Sequence, residues 1–138
     1  MFGWFRKHDD QHREGLRNDF LRVTTKLKSA DPGIRMAVGH SINMANSLFM
    51  QRFGGVQGFR ALSRSEKLKY IEALTKAEGN TAKEQPHMSI GFALFKMWVG
   101  ALTEEDEELI EEFSHGLAEL SGRVTCQFSL QNYLGVVF

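Results

Sequence analysis

The chain has 138 residues, 42% hydrophobic and 25% charged, a composition that excludes a disordered or low-complexity protein and suits one globular domain spanning 1–138. Its formal charge of zero conceals an asymmetry: residues 1–79 hold 14 Lys/Arg against 8 Asp/Glu, and residues 80–138 hold 3 against 9. The single cysteine, Cys126, excludes an intramolecular disulfide, no apolar run reaches bilayer length, and the start MFGWFRKHDD lacks a signal-peptide core, so a cytoplasmic location is expected.

Leu16, Phe20, Val23, Leu27 and Ala30 recur at alternating spacings of four and three, which predicts an amphipathic helix from about Asp9 to Ser29. Phe2, Trp4 and Phe5, ahead of Arg6 and Lys7, bury too little to anchor in a membrane and are expected to pack on the bundle. Asp31 and Pro32 form an N-cap and first-turn proline that open a second helix, ending near Phe53 at Gly54-Gly55. Ile34, Val38, Ile42, Ala45, Phe49 and Phe53 make its core arc, while Gly39, His40, Asn43, Asn46 and Ser47 make a small, uncharged opposite face. Ser63-Arg64-Ser65-Glu66 matches a capping box and starts a third helix, expected to stop at Glu78 with Gly79 as its C-cap. Pro86 starts a fourth and most apolar helix running to Leu102, and Thr103 opens a fifth that Gly122 ends. Beyond it Val124, Cys126, Phe128, Leu130, Leu134, Val136 and Phe138 occupy even positions, a strand-like period. The expected fold is therefore mostly α: a compact bundle of about five helices, the second and fourth central, with an extended C-terminal tail. An unpaired strand leaves backbone groups unsatisfied, so the tail is expected to join two chains in a homodimer through Val124, Phe128 and Leu134.

Acidic side chains in a first helical turn complement the macrodipole, which explains only the start of the run from Glu104 to Glu108. At 100° per residue Glu104, Glu108, Glu111, Glu112 and Glu119 share one face with His115, so the acidic surface runs the length of the fifth helix. A solvated face accounts for such a stripe, and so does docking of a basic protein partner. The docking reading, through Glu104, Glu108, Glu111 and Glu112, makes the chain a non-enzymatic interaction module of the adaptor, inhibitor or toxin-neutralising type, with no cofactor.

Two other readings compete. Gly55-Val56-Gln57-Gly58, flanked by Arg52, Arg60 and Arg64, has the Gly-x-x-Gly spacing that lets backbone approach a phosphate, so the basic half is a candidate for nucleic-acid or phosphate binding. Glu112 and His115, like Glu84 and His87, match the Glu-x-x-His spacing of metal-binding bundles. The first pair lies opposite the apolar stripe of its helix and the second contains Pro86, which leaves them weak metal candidates. His40, and His87 on its own, suit hydrogen-bonded structural histidines better than haem or metal ligands.

Overall fold

The computed structural model describes residues 2–121, with side chains from residue 11 onward. Six helices are packed together in these residues: α1 (Phe2–Lys28), α2 (Pro32–Phe53), α3 (Val56–Arg60), α4 (Arg64–Glu84), α5 (Pro86–Thr103) and α6 (Glu107–Leu120). The expected strand-like tail, its dimer contacts and the packing of Phe2, Trp4 and Phe5 lie outside the described residues. Among those residues, no helix is long and apolar enough to cross a membrane.

Local chemistry sets most of the boundaries. The Asp31 carboxylate accepts from Gly33 N at 2.9 Å, and Pro32 occupies the first turn of α2, where its missing N–H costs nothing. At the other end Gly54 takes φ 76°, a left-handed conformation glycine adopts without strain, and its N–H reaches Met50 O at 2.8 Å. Ser63 caps α4 by accepting from Glu66 N at 3.2 Å.

Besides α1, which begins at Phe2 rather than near Asp9, three boundaries differ from the sequence expectation. The segment after Gly55 makes a short helix, α3, because burying Val56 and Phe59 against α2 stabilises one further turn. Gly79 does not end α4, which continues to Glu84; its solvent side is open and the backbone stays helical, so the lost side chain costs propensity but not the helix. Thr103 ends α5 rather than starting α6, its buried hydroxyl donating to Val99 O at 2.9 Å, and Asp106 caps α6 instead.

α5 is the centre of the bundle and packs against α2, α4 and α6. Its Leu94, Phe95, Trp98, Val99 and Leu102 are fully buried. They meet Val38, Ile42 and Phe49 of α2, Phe59 of α3, Tyr70 and Leu74 of α4, and Phe113 and Leu117 of α6 in one continuous core. An edge-to-face aromatic cluster forms around Phe49, which lies 5.3 Å from Trp98 and 5.9 Å from Phe95 between ring centroids. Burial of Tyr70 in this cluster pushes its hydroxyl pKa up to about 12.

Helix α2 can touch α5 because Gly91 is a glycine. A Cβ there would lie 1.8 Å from Ser41 Oγ and 2.7 Å from Val38 O. The buried Ser41 hydroxyl donates to Val38 O at 2.9 Å, so the close approach leaves that polar group satisfied.

Candidate interaction surface

The acidic segment starts at the reversal between α5 and α6. Glu105 takes φ 55°, in the left-handed region, and Asp106 N bonds back to Ala101 O at 3.1 Å. Asp106 then accepts from Leu109 N at 3.2 Å and opens α6. Leu109, Ile110, Phe113, Leu117 and Ala118 turn inward, leaving Glu108, Glu111, His115 and Glu119 as an exposed outward stripe.

Helix α1 lies along one flank of this stripe and runs parallel to α6. Phe20 stacks on Phe113 with centroids 4.1 Å apart, and Gly116 makes room, since a Cβ there would lie 2.6 Å from the Phe20 ring. One and two turns before Phe20, Arg17 and Arg13 face the carboxylates. Arg13 Nε donates to Asp106 Oδ2 at 2.6 Å and its Nη2 lies 2.9 Å from Glu108 Oε2. Arg17 Nε donates to Glu112 Oε2 at 2.9 Å, and Arg17 also pairs with Glu108 and Glu14. At the start of the acidic run, Arg60 of α3 pairs with Glu107, and Arg64 Nη2 of α4 donates to Glu104 Oε1 at 3.0 Å.

The titration of these groups follows from the pairing. Partial burial pushes the Asp106 carboxyl up, but the Arg13 guanidinium and the Leu109 N–H outweigh it and hold the group below the usual carboxylate range. The same contact, a hydrogen bond from Arg13 to Asp106, raises the Arg13 pKa, and the bond to Glu112 raises that of Arg17.

The charge asymmetry read along the chain is thus partly settled inside one molecule: four arginines of the basic half meet carboxylates of the acidic half. Balance is incomplete. Glu104, Glu105, Asp106, Glu107, Glu108, Glu111 and Glu112 bring seven negative charges against these four positive ones. Glu111 and Glu119 form no ion pair with any described side chain and stay exposed. Of the four predicted docking residues, Glu104 and Glu108 are exposed yet ion-paired, Glu112 is half-buried against Arg17, and Glu111 alone points outward unpaired among the described residues. Arg13 and Arg17 were not legible as part of this surface, although their four-residue spacing beside Leu16 and Phe20 was available as a signal.

The residues of the phosphate reading have other occupations. Gly55, at φ 140°, and Gly54 turn the chain between α2 and α3, and a Cβ on Gly58 would lie 1.9 Å from Phe53 O. Arg60 and Arg64 are paired with Glu107 and Glu104, and the Arg52 guanidinium sits 5.4 Å from the Phe53 ring centroid and 5.5 Å from that of Tyr70. The metal candidates are not brought together. Glu112 is taken by Arg17, His115 faces solvent, and the α4–α5 break at Gln85 separates Glu84 from His87. Among the described residues, no three His, Cys, Asp or Glu side chains gather as a metal-ligating group.

A cleft of about 520 Å³ lies between α1, α4 and α5 and adjoins the start of α6, with Leu16, Ile71 and Met97 in its wall. Its rim mixes His12, Arg13 and Lys96 with Glu104 and Asp106, so it offers no single sign of charge to a partner. In comparisons with known protein families, curated proteins and solved structures, nothing matches this chain.

Proposed function

We propose that the protein is a non-enzymatic cytosolic interaction module, of the adaptor, inhibitor or toxin-neutralising kind, that presents the outward face of α6 to a basic partner. One observation supports this reading above the others: after Arg13, Arg17, Arg60 and Arg64 have taken their carboxylates, Glu111 and Glu119 still stand exposed and without an ion pair among the described residues. Salt bridges on the flanks hold the helix in register while its outer edge stays negative. Exposed ion pairs are worth at most about 1 kcal/mol each, so Glu104 and Glu108 can also exchange an internal arginine for a partner's.

The discriminating variant is Glu111→Lys with Glu119→Lys, because reversing Glu112 would set a lysine against Arg17 and disturb the bundle itself. The native protein should retain a basic partner from cell extract in a salt-sensitive manner, and the double variant should lose it while melting at the same temperature. Equal retention of that partner, with an unchanged salt dependence, overturns the assignment of this face.

A further inference from the structure

Helix α2 buries only one side. Its outer face carries Met36, Met44 and Leu48 at 74%, 38% and 55% exposure, three of the five large hydrophobic side chains most exposed among the described residues. His40, Asn43, Ser47 and Gln51 lie between and beside them, and residues 36–51 contain no Lys, Arg, Asp or Glu. Such a face offers a charged partner nothing to pair with, yet leaves apolar area in water.

The last described turn of the chain ends against this helix. Leu120 O sits so close to α2 that a Cβ on Gly39 would lie 2.6 Å from it, and Ser121 lines a cleft of about 520 Å³ together with Met36, Gly39, His40 and Asn43. The next residues therefore start at one end of the exposed apolar row. They match it in character: residues 124–138 contain no charged side chain, and Val124, Cys126, Phe128 and Leu130 alternate with polar residues. Gly39 to Leu48 spans about 14 Å at 1.5 Å per helical residue, and the segment from Gly122 to Leu130 reaches up to about 26 Å at 3.3 Å per extended residue.

We propose that the outer face of α2 is the docking site of residues 124–130 of the same chain, whose apolar side chains cover Met36, Met44 and Leu48. The side chains of His40, Asn43 and Ser47 supply hydrogen-bonding groups to the backbone laid across them, which an all-apolar helix face could not do. Docking in cis would tie the C-terminal end of α6 to α2 and replace the between-chain pairing expected of an isolated alternating segment. It is independent of the partner reading for α6.

Cys126 is the only cysteine of the 138-residue chain, so the chain can carry a nitroxide there alone. Intramolecular docking predicts broadened amide signals for residues 36–48 in labelled chains. It also predicts no broadening when unlabelled, isotope-enriched chains are mixed with nitroxide-bearing chains. Without the label, Cys126 should react with a thiol reagent severalfold more slowly in the native protein than in the Met44→Glu, Leu48→Glu variant, whose substitutions sit at solvent-exposed positions. Broadening of the same residues in the mixed sample as well would assign the face to a second copy and overturn the proposal. Absence of broadening on α2, or equal thiol reactivity in the two proteins, would overturn it as well.

Discussion

Arg13 and Asp106, 93 residues apart, are joined by a 2.6 Å bond from Nε to Oδ2, and the same carboxylate caps the first turn of α6. One side chain therefore fixes both the start of the acidic helix and its register against α1. Replacing Asp106 with alanine removes both contacts and should cost about 1–2 kcal/mol in denaturant unfolding. Asp106→Asn keeps a capping oxygen, loses the charge, and should cost less than half as much.

That pair also predicts a pH dependence. The folded Asp106 carboxyl titrates below its unfolded value of about 3.9, so the folded state holds the proton less tightly. Its contribution is fully present above the unfolded pKa and is lost as the pH falls through the folded one. The stability gap between the native protein and Asp106→Asn should stay constant above about pH 5 and narrow below about pH 4. A gap that widens on acidification would contradict the pairing.

Two glycines in helices should respond oppositely to alanine. A Cβ on Gly79 in α4 would meet nothing within 4 Å, so Gly79→Ala should stabilise by about 0.5–1 kcal/mol and raise Tm by about 2–4 °C. Gly91 in α5 would push a methyl against Ser41 Oγ and the Val38 carbonyl, and Gly91→Ala should cost about 1–3 kcal/mol or more. Removing the hydroxyl with Ser41→Ala should recover only part of that loss, because the Val38 carbonyl remains 2.7 Å away.

The buried Trp98 indole donates to Ser114 Oγ at 2.9 Å, and the Ser114 hydroxyl is in turn bonded to Ile110 O. Ser114→Ala leaves the indole N–H unpaired in the centre of the bundle. Denaturant unfolding should register a loss of about 1–3 kcal/mol.

Because Arg60 and Arg64 already face Glu107 and Glu104, a phosphate at the glycine turn must displace carboxylates. The native protein is expected to give no gel shift with RNA or DNA at low ionic strength. A shift abolished by replacing Arg52, Arg60 and Arg64 together would establish the phosphate-binding reading instead.

The sequence by itself determined features whose causes are local. Asp31 followed by Pro32, Ser63 three residues before Glu66, and Gly54 after Phe53 each satisfy or end backbone hydrogen bonds within a single turn, and each is found where the residues predict it. The inward arc of α2 and the apolar stripe of α6 were equally legible, since a 3.6-residue period carries that information along the chain. Tertiary structure decided what depends on residues far apart in sequence. Gly79 reads locally as a stop, but α4 continues past it, packed along α5. The glycines at 39, 58 and 91 look interchangeable until Leu120 O, Phe53 O and Ser41 Oγ show which backbone or side chain each must admit. Most of all, the acidic stripe and the arginines of the basic half read as two rival binding surfaces. The placement of α1 parallel to α6, with α3 and α4 at the start of the acidic run, makes them one another's counter-charges, because ion pairing falls off with distance in space and takes no account of separation along the chain.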